Sequence, residues 1–151
     1  MIDTVECIDR HGNTHIVNKS ELGTRISVCG ILKHLDRFLL IQTTGTDFWE
    51  LPGGGLEPGE TIEAGLTREF FEEALLNVTI GSFVTLKESF FFSDISERAY
   101  FTLRLFYLVQ LVGELPETFE GKFVGQNELD HTKINESTRS TLEFLRNNPV
   151  A

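Results

Sequence analysis

The feature of this sequence that most constrains its fold is a glycine-rich loop that runs directly into an acidic segment. The stretch from Gly54 to Leu76 reads GGLEPGETIEAGLTREFFEEALL. It begins with consecutive glycines and contains the pair Pro58-Gly59, so its first part must form a loop with unusual backbone angles. Six glutamates and one arginine give the stretch half of the net charge of −10 that the chain carries. The fold must therefore bring many carboxylates close together.

The second part of this stretch has the pattern of an α-helix. Thr61 is a suitable N-cap, because its hydroxyl can accept a hydrogen bond from a backbone N–H of the first turn. The helix is predicted to run from Ile62 to Leu76. Asn77 is expected to end it, since asparagine tolerates the left-handed conformation.

Three carboxylates fall on one stripe of this helix at about 100° per residue, those of Glu69, Glu72 and Glu73. They would repel one another unless a cation lay among them, and Mg²⁺ prefers oxygen ligands of this kind. The alternative is an ordinary solvated acidic face. Apolar residues flank the stripe on both sides, Leu66 and Phe70 on one and Phe71 and Leu75 on the other. The acids are therefore expected at the edge of the core, which favours a metal site.

Composition bounds the class of protein. Apolar residues make up 40% of the 151 residues, enough for the core of one domain spanning residues 1–151. The net charge of −10 argues against stable nucleic-acid binding, which needs a cationic surface. The first residues lack the pattern of a signal peptide, and no stretch approaches the roughly 18 apolar residues of a membrane span. We therefore expect a cytoplasmic protein without a membrane partner.

The two cysteines, Cys7 and Cys29, lack the spacing of metal ligands. A disulfide between them is one interpretation. In a cytoplasmic protein, two buried free thiols are the expected state.

Strand-like segments surround the helix. Residues 5–8 and 14–17 flank a turn at 10–13 and predict a hairpin. Five further segments have the residue types of strands or extended pieces: 25–32, 38–42, 48–51, 78–92 and 99–112. Asn135 is a candidate N-cap for a last helix from Glu136 to about Arg146, with Leu142 and Leu145 facing inward. This order predicts a mixed α/β sandwich and not simple βαβ alternation.

The charged positions of the glycine-rich stretch resemble the Nudix box. That motif reads glycine, five residues, Glu, seven residues, Arg-Glu, an apolar residue, any residue, Glu-Glu, any residue, glycine and an apolar residue. The chain matches it over 23 residues at Gly54, Glu60, Arg68, Glu69, Phe70, Glu72, Glu73 and Leu76. The one departure is Leu75, where the family has glycine. We expect Asn77 to make the turn instead and to lengthen the helix slightly.

The resemblance to MutT-like Nudix hydrolases implies an α/β/α sandwich with a mixed sheet, here with a short N-terminal hairpin added. It implies that divalent ions, Mg²⁺ or Mn²⁺ in its place, are held by the Gly53 carbonyl and by the carboxylates of Glu69, Glu72 and Glu73. Arg68 would hold a glutamate in place, and Glu60 would brace the loop. These five charged side chains form the implied catalytic set.

The same resemblance implies hydrolysis of a phosphoanhydride bond in a nucleoside diphosphate derivative by attack of water at phosphorus. The partner would be a small-molecule nucleotide, of the nucleoside triphosphate or nucleotide-sugar type, and the protein a monomer or homodimer. Signatures that distinguish the substrate subfamilies are absent. One alternative is a non-catalytic nucleotide sensor with the same fold. Another is an isomerase resembling isopentenyl-diphosphate isomerase, but Cys29 lacks the supporting histidines.

Outside the box, several residues have two interpretations. Glu120 resembles a loop glutamate that joins the metal site, or it is a surface acid. Asn135 resembles an asparagine that hydrogen-bonds to the edge of a purine base in MutT-like members, or it is only a helix N-cap. Trp49 is a pocket wall or part of the core. Three cations are candidates to bind a phosphate: Arg25, Lys87 and Arg104. Most of the triplet Phe90-Phe91-Phe92 is expected to lie in the core.

Overall fold

The computed structural model of the protein describes residues 3–150. These residues form nine strands: β1 (Thr4–Ile8), β2 (Thr14–Asn18), β3 (Gly23–His34), β4 (Arg37–Gln42), β5 (Trp49–Glu50), β6 (Gly53–Gly55), β7 (Val78–Ser93), β8 (Arg98–Leu111) and β9 (Lys122–Gly125). Two α-helices are present, α1 (Ile62–Ala74) and α2 (Glu136–Asn147), with short 3₁₀ helices at Lys19–Glu21 and Gln126–His131. No helix among residues 3–150 has the length and hydropathy needed to cross a membrane.

The sheet is mixed. Its strands follow the order β2-β1-β7-β8-β3-β4-β5, while β6 pairs with β3 and β9 with β4. Strands β1 and β7 pair in parallel, as do β3 and β8, and the other pairs are antiparallel. The predicted N-terminal hairpin is confirmed, and it joins the sheet through Ile8, which pairs with Phe91. Strand β9 had no counterpart among the predicted elements.

The two helices pack on opposite faces of this sheet. Val28 clusters with Leu66 and Phe70 of α1, whereas its neighbour Cys29 clusters with Leu142 of α2. Since neighbouring residues of a strand point to opposite faces, α1 and α2 lie on different sides. The expected α/β/α sandwich with a mixed sheet is confirmed.

Both cysteines are buried free thiols, as expected, so the alternative of a disulfide between Cys7 and Cys29 is wrong. Burial raises the pKa of the Cys29 thiol to about 12. The expectation for the phenylalanine triplet is also wrong, because Phe90 is exposed and Phe91 and Phe92 are only partly buried. This part of β7 meets the hairpin, where Ile8 pairs with Phe91 and the ring of His15 stacks on Phe92.

Helix α1 ends earlier than expected. Ala74 is its last residue, and Leu75 itself adopts the left-handed conformation, with φ 58° and ψ 31°, while its N–H donates to the Phe71 carbonyl. The prediction that Asn77 would end the helix is therefore wrong. The turn at Leu75 directs Leu76 into the core, where it is buried. The core contact fixes the helix end, although leucine is unfavourable in this conformation by about 1–2 kcal/mol.

We expect Leu75→Gly to be more stable than Leu75→Ala by about 1 kcal/mol. Both substitutions remove a side chain that is 44% exposed, but only glycine removes the cost of the left-handed conformation. Urea unfolding of the two variants measures the difference. If the alanine variant were the more stable one, strain at this helix end would be refuted.

The turn of the N-terminal hairpin is built around the buried carboxylate of Asp9. Its Oδ1 accepts hydrogen bonds from the backbone N–H groups of His11 and Asn13, at 2.8 and 2.9 Å. Its Oδ2 lies 2.8 Å from His15 Nε2 and accepts from Asn13 Nδ2 at 3.2 Å. The contact with His15 is the largest cause of a pKa of Asp9 well below its ordinary range.

We expect Asp9→Asn to lower the free energy of unfolding at pH 7 by about 1–3 kcal/mol. The substitution removes the charge and replaces Oδ2, which faces His15 Nε2 and Asn13 Nδ2, with an NH2 group that cannot accept a hydrogen bond. A lowered pKa means that the stabilisation is fully present above the ordinary aspartate pKa of about 4 and is lost as the pH falls below it. The difference in the free energy of unfolding between Asp9→Asn and wild type, measured by denaturant unfolding, should therefore become smaller from pH 7 to pH 3. The control Asp130→Asn changes an exposed aspartate, and its free energy of unfolding should match that of wild type over the same pH range.

Candidate active site

The site is organised around the guanidinium of Arg68 on α1. It donates to both carboxylate oxygens of Glu60, from Nε at 2.7 Å and from Nη2 at 2.9 Å. Nη1 donates to Glu69 Oε1 at 2.9 Å and to Glu72 Oε2 at 3.2 Å. Nη2 also reaches the carbonyl of Gly55 at 3.2 Å. One cation thus ties together the glycine loop, the segment before the helix and the helix itself.

Glu60 braces the loop between β6 and α1. Its Oε2 accepts from the backbone N–H of Glu57 at 3.0 Å, in addition to the two bonds from Arg68. The Arg68 guanidinium is the main cause that lowers the pKa of Glu60 to about 2. Its partner responds in the opposite direction, because the same bonds raise the pKa of Arg68. Both side chains therefore stay charged across the range of pH in which proteins function.

Glu73 lies deeper than its neighbours. Its Oε2 accepts from the backbone N–H of Gly53 at 2.8 Å, which fixes the carboxylate against the start of the glycine loop. Burial is the main cause that raises the pKa of Glu73 to about 8, and the charges of Glu69, Glu50 and Glu72 add to it. Burial also raises the pKa of Glu69. Both carboxyl groups therefore ionise less readily than a free glutamate does.

The glycines of β6 make room for this cluster. A Cβ atom at Gly54 would lie 2.6 Å from Glu69 Oε1, and one at Gly55 would lie 2.6 Å from Arg25 Nε. The backbone can therefore pass between a carboxylate on one side and a guanidinium on the other only because no side chain intervenes. Arg25, on β3, is in this way brought up to the loop from the sheet.

The three helix carboxylates have a shared arrangement. In each, one oxygen is engaged: Glu69 Oε1 and Glu72 Oε2 by Arg68, and Glu73 Oε2 by Gly53. No hydrogen bond from the described residues reaches the second oxygen of any of them. An oxygen-only donor set of this kind suits a hard divalent cation such as Mg²⁺. Within residues 3–150, however, no three acidic, imidazole or thiol side chains already converge as a complete metal cage.

The apolar residues on the two sides of the carboxylate stripe differ in burial, whereas the sequence pattern predicted that both sides would face the core. Leu66 and Phe70 are buried, but Phe71 and Leu75 on the other side of the stripe are exposed. The carboxylates thus border the core on one side and solvent on the other. Glu72 and the first-turn residue Glu63 are both exposed, whereas Glu69 and Glu73 are partly buried.

A cavity of about 670 Å³ opens beside the glycine loop. Gly53, Gly54 and Glu50 form its wall next to the carboxylates. Strands β3, β7 and β8 supply its floor, and the start of α2 supplies part of the opposite wall. A pocket of this size next to a cluster of acids is suited to a small-molecule substrate.

The candidates outside the box occupy different surroundings. Arg25 and Asn135 line the cavity, whereas Trp49 packs against the core beneath Lys122, whose Nζ lies 4.1 Å from the centre of the indole ring. The carboxylate of Glu120 is exposed, while its backbone N–H donates to the carbonyl of Ala74 at the end of α1.

Asn135 has the role of a helix cap. Its Oδ1 accepts from the Thr138 N–H at 2.9 Å, and its Nδ2 donates to Glu50 Oε2 at 2.7 Å. The N-cap that the pattern predicted is therefore confirmed. Both ends of the amide have partners within the protein, and one of those partners, Glu50, is itself part of the cavity wall.

Sequence reasoning missed two contributors to the cavity. Glu50 was given no role, although an acid directly before the Leu51-Pro52 turn into the glycine loop was the available signal. The hairpin residue Arg10 was also missed. It donates to Asp94 Oδ2 at 3.0 and 3.1 Å and to the Thr44 carbonyl at 3.0 Å, and so fastens the hairpin over the rim. No local pattern indicates contacts between residues so distant in sequence.

The sequence and the fold of this chain are both similar to those of known proteins. The family model described as NUDIX domain matches residues 23–144, which leaves the N-terminal hairpin outside the matched range. The nucleoside triphosphatase NudI of Enterobacter sp. (strain 638) is 31% identical over 134 residues, covering 78% of this chain and 93% of its own. The ADP-ribose pyrophosphatase of Methanocaldococcus jannaschii is 32% identical over 120 residues, covering 72% and 69%.

A shorter similarity links the chain to the MutT-like protein of Streptomyces ambofaciens, which is 43% identical over 56 residues, or 36% of each chain. Among solved structures, a NUDIX hydrolase from Nitrosomonas europaea superposes with a TM-score of 0.62 at 17% identity, covering 83% of this chain and 90% of that one. That likeness shows the fold. Because the family model matches most of the sequence, the chain belongs to the Nudix family.

Proposed function

We propose that this protein is a divalent-metal-dependent nucleotide pyrophosphohydrolase that cuts a phosphoanhydride bond in a nucleoside diphosphate derivative. Membership of the Nudix family supports the hydrolytic activity, as does similarity to relatives named nucleoside triphosphatase and ADP-ribose pyrophosphatase. The proposed substrate is a small-molecule nucleotide of the triphosphate or nucleotide-sugar type. The proposed ion is Mg²⁺, for which Mn²⁺ can substitute. The protein would act in the cytoplasm as a monomer or homodimer.

The observation that carries this proposal is the second oxygen that each of three fixed carboxylates leaves without a hydrogen bond. Arg68 and the Gly53 N–H orient Glu69, Glu72 and Glu73 through one oxygen each. A ligand set whose orientation is fixed by surrounding hydrogen bonds loses little entropy when an ion binds. The raised pKa values of Glu69 and Glu73 support the same assignment, because a nearby cation would favour their charged forms.

Two further ligands are proposed from the surroundings of the cluster. The carbonyl of Gly53 belongs to the residue whose N–H already holds Glu73. The loop of Glu120 is anchored to the C-terminal end of α1 by the backbone bond to Ala74. Both groups are oxygen donors of the kind that Mg²⁺ accepts.

The chain's own residues would bind and orient the substrate. Arg25, which lines the cavity beside the loop, is suited to balance the charge of a phosphate chain bound there. Glu60 and Arg68 would keep the loop in place during turnover, because their mutual bonds are short and partly buried. When bound, the metal would polarise the phosphoryl oxygens and lower the pKa of the attacking water.

We expect turnover to require a divalent ion. Phosphate release should be measured with Mg²⁺ or Mn²⁺ against a panel of nucleoside triphosphates, nucleotide sugars and dinucleotides. Excess EDTA should abolish it, and added Mg²⁺ should restore it. Full turnover in EDTA would refute the metal dependence, and nucleotide binding without turnover of any substrate would favour the alternative of a nucleotide sensor.

We expect Glu72→Gln to lose far more activity than stability. Glutamine keeps the size and helix propensity of glutamate and removes one charge from a repelling cluster, so the metal-free protein should melt within a few degrees of wild type. Loss of a ligand from a preorganised site should lower kcat by roughly 10²–10³-fold.

The matched control is Glu63→Gln, which makes the same substitution on the same helix at an exposed residue outside the Arg68 network. It should keep wild-type turnover. Melting curves with and without Mg²⁺ separate the two variants further, because only Glu72→Gln should lose the stabilisation that the ion provides. If both variants turned over like wild type, the acidic stripe would be a solvated surface.

A further inference from the structure

Six polar residues meet on the floor of the cavity, in two rows across three strands. In the first row, Arg104 of β8 pairs with Lys87 of β7 and with Ser27 of β3. Their neighbours two residues along the same strands form the second row. There Thr102 pairs with Ser89 and Arg25. Residues that pair across strands, and those two apart along one strand, share a face. We call this group the sheet cradle: Arg25, Ser27, Lys87, Ser89, Thr102 and Arg104.

Two buried polar groups of the sheet cradle lack a partner. The hydroxyl of Thr102, a residue only 2% exposed, makes no hydrogen bond with any residue from 3 to 150, and neither does Arg104 Nε. An unsatisfied buried polar group costs about 1–3 kcal/mol, and more when it is charged. Thr102 and Arg104 both line the cavity, so a small rotation of either side chain would bring the unsatisfied group to a bound ligand.

The cations of the sheet cradle form no direct ion pair. Within the described part of the chain, none of the ion pairs involves Arg25, Lys87 or Arg104. The charge of Arg25 acts on the carboxylate of Glu69 across the loop, where it partly offsets the rise in the pKa of Glu69 that burial causes. Lys87 donates only to the hydroxyl of Ser140 on α2, at 2.6 Å. Five acids line the same cavity. Asp9 is engaged in the hairpin turn and Glu50 with Asn135, while Glu6, Glu88 and Glu136 are exposed to solvent. Three like charges on one sheet face thus lie together in a chain whose net charge is −10.

We propose that the sheet cradle binds a phosphate group of the substrate, one that the carboxylate cluster of α1 does not hold. Guanidinium, ammonium and hydroxyl donors on one surface are the groups that bind phosphate oxygens. Arg25 reaches the glycine loop at Gly55, so the sheet cradle and the carboxylate cluster are neighbours across that loop. A chain of phosphates can therefore contact both.

This inference rests on the proposed function and narrows its substrate class. A nucleoside triphosphate offers a third phosphate to the sheet cradle. A nucleoside diphosphate joined to a neutral sugar has only the two phosphates on either side of the bond that is cut. The sheet cradle therefore selects substrates with a phosphate beyond those two.

The test uses inorganic tripolyphosphate as the probe and calorimetry in Mg²⁺-free buffer of low ionic strength. Wild type should bind the probe, and Arg104→Gln should raise the Kd about tenfold, as expected for loss of one charge-assisted hydrogen bond. The melting temperature of Arg104→Gln should equal or exceed that of wild type, because the variant removes an unpaired buried donor and one of three like charges. A purely structural arginine would show the reverse, with lower stability and unchanged binding.

The matched control is Arg98→Gln, on the same strand but exposed and outside the cavity. It should leave the Kd for tripolyphosphate unchanged. A kinetic comparison adds a second readout: Arg104→Gln should raise KM for GTP about tenfold with little change in kcat, and should leave kcat/KM for UDP-glucose unaltered.

Absence of tripolyphosphate binding by wild type, or equal weakening by Arg98→Gln, would overturn the inference. An equal loss of kcat/KM for GTP and for UDP-glucose in Arg104→Gln would also overturn it. If the binding results held while no nucleotide was hydrolysed, the sheet cradle would stand and the proposed hydrolase activity would fail. The failure of one proposal is thus separable from that of the other.

Discussion

The ion-pair network of Arg68 is the interaction on which the geometry of the site depends. Its guanidinium binds Glu60 before the helix, two carboxylates on the helix and the Gly55 carbonyl of β6. Because a guanidinium is planar and carries five donors, it can hold several acceptors in fixed directions at once. The loop and the helix are therefore joined by one rigid group, and these acids are held in place by Arg68 without a metal ion. Glu73 is the exception, since a backbone N–H holds it.

The site also separates two kinds of charge across the glycine loop. Carboxylates lie behind the loop on α1, and cations lie before it on the sheet face. Only the absence of side chains at Gly54 and Gly55 allows both to approach the backbone so closely. Arg68 balances part of the negative charge on the helix side, and the charge of Arg25 acts on Glu69 across the loop. A ligand that carries both a cation and phosphates would complement both sides.

Local patterns were sufficient for much of this structure. Helical periodicity correctly predicted that the carboxylates of α1 share one stripe. The N-caps Thr61 and Asn135 could be predicted from the sequence because capping is a local interaction. Tertiary contacts decided the rest. The helix ends at Leu75 because Leu76 is drawn into the core, which outweighs residue preference. The alignment of Arg25 with Thr102 depends on the register between distant strands, and no local signal encodes that register.

The parallel pairing of β1 with β7 has a consequence for how the protein is made. The hairpin precedes β7 in the chain, and its anchor Arg10 contacts Asp94, 84 positions later. During synthesis the hairpin leaves the ribosome well before its docking strand, and a two-stranded ribbon alone is only marginally stable. Contacts of such long range close late in folding. The rim of the cavity is therefore completed after the core, so a newly made chain would become compact before it could recognise a ligand.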